Sequence, residues 1–443
     1  MFKNIMVKEM INSVYDFRFF IALTLCLIFI PLGFYIAFSE YEQRFSEYNN
    51  SVSMYNERVE GKAYDDIPVE GFRPPSPLSV LSIGLENYIP NKVITSRDGL
   101  PKYIDERGIN NPVSLLFGEI DFLVNISVIM SLLALIFSYN IITGEKERGT
   151  LSQIVSNPIS RTKLLLAKTA GSFIMLLMPL IISIIVGILI VMRMGDFHLL
   201  QGENLPKFMA VLFVSILYIF CIFNLGILVS ARTRRPVTSI IVLLLIWLIY
   251  VIAIPKLSPL VAQMISPVKS QEVVNIKKQL LMSNLRNEFS LKKKNLYNNI
   301  LTENGVDTKK FLYIGGETTD VEEKALRLFA EQRDQLESEY NTLIANENAK
   351  IDTDYRNQRQ KQITIAMNLS RLSPVSCYKY IVSELSGTGI HEIDNFVAQS
   401  HRFQAEVKKE IYDKYKIESY GTHDIVRKPE DRSAVVIPQL SNY

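Results

Sequence analysis

Five apolar runs of bilayer length limit what this chain can fold into. They cover residues 19–38, 122–142, 164–192, 208–230 and 237–254, and none has a charged side chain in its apolar centre. A hydrocarbon core of about 30 Å takes about 20 helical residues to cross. Because unpaired backbone groups are not tolerated in lipid, we expect each run to form a transmembrane helix.

The basic residues predict how these helices are oriented. They precede the first run and lie between the second and third runs and between the fourth and fifth runs. They are Lys3, Lys8, Arg18, Lys146, Arg148, Arg161, Lys163, Lys168, Arg232, Arg234 and Arg235. Since short loops rich in Lys and Arg stay in the cytoplasm, we expect a multi-pass membrane protein with a cytoplasmic N-terminus. Residues 39–121 and 255–443 are then extracytoplasmic.

The polar segments predict modules outside the bilayer. Residues 1–18 have apolar side chains at helical spacing and predict an amphipathic helix at the cytoplasmic interface. Residues 39–121 predict a small mixed α/β module, in which residues 39–59 prolong the first helix before prolines break it. Residues 255–443 contain two long polar stretches of helical period, which predict an antiparallel helical hairpin. These stretches cover residues 268–301 and 317–371.

The odd number of apolar runs bears on the C-terminus. Five spans place the two termini on opposite sides of the membrane, and we expect a sixth span that is missing from this sequence. The alternative is a genuine five-span protein. The predicted fold class is a mainly α membrane bundle with five visible spans, accompanied by helical and mixed α/β extracytoplasmic modules.

The chain has no motif for catalysis of its own. The sequences G-x-x-x-x-G-K-[ST], H-E-x-x-H and G-x-S-x-G are absent, and the three Cys and four His lack the spacing of metal ligands. The net charge is only +3 and the basic residues are scattered, which argues against a nucleic-acid partner. We therefore expect no enzymatic activity, no metal and no cofactor in this chain, so any transport must be driven by another protein.

Two motifs resemble permeases of the ABC-2 type transporter family. The first covers residues 144–151 (GEKERGTL) and continues through residues 156–168, between the second and third runs. The second covers residues 368–374 (NLSRLSP) and continues to residues 385–389 (LSGTG). The second resembles members that have a large outer domain between the fifth and sixth spans, including relatives associated with gliding motility. The resemblance implies a type V exporter-like helical bundle.

The resemblance also assigns a coupling role to the segment 143–163. Its candidate residues are Gly144, Glu145, Lys146, Glu147, Arg148, Gly149, Thr150 and Leu151. We expect the four charged side chains to form a contact surface for a partner, with a close turn at Gly149, a cap at Thr150 and an apolar anchor at Leu151. The alternative is a loop that only sets the membrane topology.

The partners and the function follow from the resemblance. It implies a separate cytoplasmic ABC ATPase dimer, which carries the ATP and Mg²⁺, and a second copy of the permease or a paralogous permease. Membrane lipid and envelope proteins are further candidate partners. Because the spans offer no charged pocket, we expect export or extraction of an amphipathic substrate. The alternatives are a membrane-anchored scaffold and a mechanotransmission subunit whose outer hairpin acts on envelope partners.

Overall fold

The computed structural model describes residues 2–59, 69–95, 102–104, 120–150, 160–195, 202–305 and 320–415. The helices are α1 (Phe2–Val14), α2 (Phe17–Val59), α3 (Phe122–Val124), α4 (Ser131–Ser138), α5 (Thr143–Glu147), α6 (Arg161–Met194), α7 (Asn204–Arg232), α8 (Pro236–Trp247), α9 (Ile254–Ile265), α10 (Gln271–Glu303), α11 (Asp320–Ser370), α12 (Pro374–Leu385) and α13 (Ile390–Tyr415). The strands are β1 (Val69–Phe72), β2 (Lys92–Thr95) and β3 (Lys102–Ile104).

Within the described residues, five helices are long and apolar enough to cross a membrane. Their bounds are Phe17–Val59, Phe122–Glu147, Arg161–Met194, Asn204–Arg232 and Pro236–Ile265, and we number them spans 1 to 5. The prediction of five apolar helices is confirmed. Each helix is longer than its apolar run because it continues into the polar flanks, and α2 continues through the segment 39–59 as predicted.

Two spans contain a π-helical segment. Asn125–Met130 joins α3 to α4 in span 2, and Leu248–Ala253 joins α8 to α9 in span 5. A π-turn leaves backbone carbonyls without their usual helical partners. Side-chain hydroxyls donate to these carbonyls instead. The Tyr218 hydroxyl donates to the Ser127 carbonyl at 3.1 Å, and the Ser373 hydroxyl donates to the Tyr250 carbonyl.

The described chain divides into two compact units. One contains the residues up to Lys256 and those from Ser370 onward, and the other contains Leu257–Leu369. The predicted segment 255–443 is therefore not one module, and this part of the prediction is corrected. The physical reason is burial, since α12 places Val375 and Val382 in the core of the bundle and α13 packs against the sheet.

Glycine allows the spans of the first unit to approach closely. The ring of Phe34 in span 1 lies against Gly187 in span 3, where an added Cβ would sit 2.7 Å from the ring. Span 4 approaches span 2 at Gly226, where an added Cβ would overlap the Ser138 hydroxyl and sit 2.7 Å from its Cβ. Small residues at such crossings are the usual means by which membrane helices associate.

The three-stranded sheet and α13 share a small core at one end of the bundle, which we call the sheet end. The strand order is β1-β2-β3, both pairings are antiparallel, and Phe72 pairs with Lys92. The buried apolar residues are Val69, Ile89, Val93, Phe396, Phe403 and Val407. Two ion pairs are also buried there, Lys92 with Glu70 at 2.8 Å and Arg73 with Glu86 at 2.7 Å.

The second unit is dominated by the antiparallel pair α10 and α11. Lys278 forms an ion pair with Asp352, and the Phe289 ring stacks on the Tyr340 ring with centroids 4.6 Å apart. Towards the end of α10, a small core contains Ile300, Leu301 and Ala325. Residue numbers rise along α10 while their partners' numbers fall along α11, so the two helices run antiparallel.

The crossing of spans 2 and 4 gives a test of the packing. Gly226→Ala should destabilise the bundle by about 1–3 kcal/mol, because the added methyl group overlaps the Ser138 side chain. Ser138→Gly should restore most of that loss, since it removes both atoms that the methyl group meets. The melting temperature of the purified protein in detergent measures both effects. Leu228→Ala, on an exposed face of the same helix, is the control. An additive double variant would contradict this account.

Candidate functional site

The short helix α5 lies at the opposite end of the bundle from the sheet, which we call the α5 end. Its first backbone groups are held by span 4, because the amides of Ile142 and Thr143 donate to the buried Ser230 hydroxyl at 3.2 and 3.1 Å. The Thr143 hydroxyl is 3.3 Å from the same oxygen. Amides in the first turn of a helix have no partner within the helix, so Ser230 caps α5 from a different span.

Lys146 fixes α5 to the end of span 4 by a second route. Its ammonium group donates to the carbonyl oxygens of Ala231 and, at 3.0 Å, of Thr233. These carbonyls lie where α7 ends, and a cation there complements the negative end of the helix dipole. Thr233 leads directly into span 5, so this contact places α5 at the junction of spans 4 and 5.

Glu145 joins α5 to two further helices through one buried lysine. The Lys168 ammonium group, on α6 in span 3, forms ion pairs with the Glu145 carboxylate and, at 2.8 Å, with the Glu9 carboxylate on α1. The Lys168 side chain is only 10% exposed. A charge buried to this extent needs partners, and the two carboxylates supply them. We call Glu9, Glu145 and Lys168 the ion triad.

Helix α1 packs closely against span 3 beside the ion triad. At Gly171 an added Cβ would sit 2.8 Å from the Met6 carbonyl oxygen, so only glycine allows this approach. The apolar residues of α1 are divided between two faces. Met6 lies on the packed side, whereas Val7, Ile11 and Val14 are exposed. Helix α1 therefore packs against span 3 with one side and exposes apolar side chains on the other, and its predicted position at the membrane interface stays a prediction.

The structure divides the predicted contact surface into an inner and an outer part. Glu145 and Lys146 point to partners within the protein, and Gly144 is buried, whereas Glu147 and Arg148 are exposed. Gly149 follows α5 with φ +73° and is exposed. The Thr150 hydroxyl donates back to the Glu145 carbonyl at 3.4 Å, so it contacts the preceding turn. Leu151 lies outside the described residues.

Sequence reasoning missed the roles of Glu9, Lys168 and Ser230. By its position in a basic loop Lys168 indicates membrane topology, although a lysine inside a segment that begins an apolar run is also a signal for a buried partner. Glu9 and Ser230 lie more than 80 residues from their contacts in α5 or α6, and no spacing rule predicts such pairs. In the described ranges, no group of three or more His, Cys, Asp or Glu side chains is placed to hold a metal ion.

The second motif contributes to the sheet end. The Thr388 carbonyl accepts from the Leu85 amide at 2.8 Å, and the Thr388 hydroxyl donates to the Ser82 carbonyl at 2.9 Å. The Ser76 hydroxyl donates to the Ser386 carbonyl at 2.7 Å. The residues around Gly387 thus attach α12 to the segment between β1 and β2, which is distant in sequence.

Helix α12 is also attached to the spans. The Tyr378 ring stacks on the Tyr218 ring with centroids 4.7 Å apart, and its hydroxyl is 3.0 Å from that of Ser215. Asp121 precedes span 2 and caps its first turn, because its carboxylate accepts from the Val124 amide at 2.7 Å. The same carboxylate accepts from the Ile83 amide at 3.0 Å. Burial raises the pKa of Asp121 to about 6, although both amides and the charge of Lys379 act in the opposite direction.

Comparison with protein families gave one match of nearly full length. The family model described as ABC-2 family transporter protein matches residues 3–400. This range includes all five spans, the α5 end and both motifs. A search of curated proteins found no match.

The ion triad can be tested by removing its cation. Lys168→Met should leave two carboxylates facing each other in a half-buried site and destabilise the packing of α1 by about 2–3 kcal/mol. Hydrogen exchange of the α1 amides should become faster. Lys163→Met, at an exposed position of the same helix, is the control. Adding Glu9→Gln and Glu145→Gln to Lys168→Met should restore slow exchange. Unchanged exchange in Lys168→Met would exclude the triad as the attachment of α1.

Asp121 predicts a pH dependence of stability. Its pKa rises from 3.8 to about 6 in the folded protein, so between these values the folded state binds more protons than the unfolded chain. Stability from this group is therefore full below about pH 4 and is lost as the pH rises through 6, by up to about 3 kcal/mol.

The measurement is the change in melting temperature between pH 5 and pH 7. In Asp121→Asn the fall in melting temperature from pH 5 to pH 7 should be smaller than in the unmodified protein. In Asp394→Asn, which changes an exposed aspartate on α13, the fall should be the same as in the unmodified protein. The same pH profile in Asp121→Asn and the unmodified protein would show that another group is responsible.

Proposed function

The chain belongs to the ABC-2 transporter family, whose members are permease subunits of ABC transporters, and we propose that a separate ATPase dimer acts on its α5 end. The observation that carries this proposal is the division of charges on α5. Glu145 and Lys146 are used for attachment within the protein, and Glu147 and Arg148 remain exposed at the same short helix. A surface of this kind is accessible to a partner and is firmly connected to the spans.

The attachments suggest how a force at α5 would reach the membrane. Helix α5 is continuous with span 2, is bound to span 4 through Ser230, and is bound to span 3 and α1 through Lys168. Closure of the ATPase dimer on ATP would displace α5, and the attached helices would tilt with it as rigid bodies. The ATP and Mg²⁺ belong to the partner in this proposal, and this chain supplies no catalytic group.

The orientation is part of the proposal. The basic residues of the α5 end, Lys3, Lys8, Lys146, Arg148 and Arg161 among them, favour the cytoplasm by the positive-inside rule. The N-terminus is then cytoplasmic and the sheet end is extracytoplasmic, in a bacterial inner membrane. A second permease, either another copy or a paralogue, completes the pathway.

An amphipathic substrate fits the interior of the bundle best. The polar groups among the spans are hydroxyls and amides such as Ser127, Ser131 and Ser215, and these form hydrogen bonds within the bundle. The apolar centres of the spans carry no ionised side chain, so a small ion would find no counter-charge on its path. Export or extraction of an amphipathic molecule is therefore our proposal for the transported class.

Mechanotransmission is the second candidate, and the length of α2 favours it. This helix extends over 43 residues, with Pro31 inside it. At its start the Arg18 guanidinium lies 4.8 Å from the centre of the Tyr139 ring at the α5 end, and near its end the Tyr55 ring contacts the Phe72 ring of β1. A continuous helix of this kind would carry a displacement from one end of the bundle to the other.

The coupling proposal is tested in the complex purified from native membranes through a tag on the full-length chain. An ABC ATPase should co-purify, and its activity should fall to that of the isolated ATPase when the chain carries Glu147→Lys. Membrane insertion and melting temperature should not change, since Glu147 is exposed. Glu331→Lys makes the same charge reversal at an exposed position on α11 and is the matched control. Full ATPase stimulation with Glu147→Lys would reject the proposed contact. Substrate flux in vesicles then separates export from mechanotransmission.

A further inference from the structure

Helix α10 has two opposite faces that differ in what covers them. The face towards α11 contains the buried Val274, the Lys278 that pairs with Asp352, and the Phe289 that stacks on Tyr340. Successive residues of a helix are separated by about 100°, so Val273, Ile276 and Leu280 lie on the other side. They are 47%, 54% and 59% exposed. Aliphatic side chains that are exposed together on one face of a polar helix mark an interaction surface.

The spacing of the exposed residues is that of a two-helix seam. Val273, Ile276 and Leu280 are separated by three and then four residues, which are the a, d and a positions of a heptad. The next a position is Asn287, which is also exposed. Asn at an a position is compatible with a parallel two-stranded arrangement and sets its register.

The charges that border the seam are complementary between two copies of this helix. Glu272 precedes the seam at a g position and Lys277 follows five residues later at an e position, and both are exposed. In a parallel pair of helices, the g residue of one helix faces the e residue of the other, five positions further on. Two copies of α10 in register would therefore form two Glu272–Lys277 pairs, one on each side of the seam.

We infer that the occupant of this face is α10 of a second copy of the chain, in a parallel seam of Val273, Ile276 and Leu280. Two copies inserted in one membrane with the same orientation are related by an axis along the membrane normal, and this symmetry makes equivalent helices run in the same direction. An acyl chain would also cover aliphatic side chains, but it gives no reason for opposite charges at the g and e positions.

The inference deepens the proposed function, because it rests on two permease copies being present together and identifies a contact between them. The seam is short, and its strength depends on the shared membrane, which raises the effective concentration of one copy around the other. It also selects a homodimer over a pairing with a paralogous permease.

Cysteine cross-linking in native membranes tests the seam directly. Residues at the d position face their own equivalents across the axis, so mild oxidation should convert Ile276→Cys to a disulfide-linked dimer of twice the chain mass. Asn275→Cys, exposed on a different face of α10, is the matched control and should remain at the level of the unmodified protein. Equal cross-linking at both positions, or none at Ile276→Cys, would overturn the inference.

Charge exchange separates the seam from an apolar path for a lipid. In the Ile276→Cys background, Glu272→Lys and Lys277→Glu should each reduce the yield of cross-linked dimer, and the two changes together should restore it. Failure of the double exchange to restore the yield would overturn the inference, as would cross-linking to lipid by a photoreactive group at residue 276. ATPase stimulation, measured in the same membranes, distinguishes the α10 seam from the coupling proposal. Full stimulation with no cross-linked dimer would overturn the seam and leave the coupling proposal standing.

Discussion

An apolar helix gains little by exchanging lipid contacts for contacts with another apolar helix. This bundle therefore depends on close packing and on polar contacts between spans. The close approaches occur at glycines, with Gly187 against Phe34 and Gly226 against Ser138. The π-helical segments add a second type of contact, because they free carbonyl groups that side chains of other helices then bind. Together these contacts connect span 1 with span 3, span 2 with span 4, and span 5 with α12, and residues of all five spans share one core.

At the α5 end the helices are joined by ionic contacts, whereas in the centre of the bundle they are joined by close packing. Lys168 is buried among carboxylates from two other helices, and Lys146 is bound to the carbonyls where α7 ends. Each lysine therefore connects helices through charge, beside the close packing of α1 on span 3 at Gly171. A buried charge without its partner is costly, so loss of one member of the ion triad should weaken the attachment of the others. A short helix of five residues would not be stable alone, and its position is set by these attachments.

The sequence predicts the parts of this fold that depend on local pattern. Apolar runs predict the five spans, and polar stretches of helical period predict α10 and α11, because both signals are contained in consecutive residues. The pairing of distant residues is not contained there. Nothing near Glu9 indicates Lys168, and nothing near Thr388 indicates Leu85. For the same reason the sequence does not distinguish the four charged residues 145–148 from one another. In the structure the first two contact partners within the protein and the last two are exposed.

Helix α2 relates the two ends of the first unit to each other. Its N-terminal turn contacts Tyr139 near α5, and its C-terminal part contacts β1, with Arg58 3.4 Å from Glu70. Along its 43 residues, α2 therefore contacts both the α5 end and the sheet end. The sheet in turn is joined to α12 through the Thr388 contacts. The α5 end and the segment around Gly387 are thus both in contact with elements that pack against α2 or the sheet end.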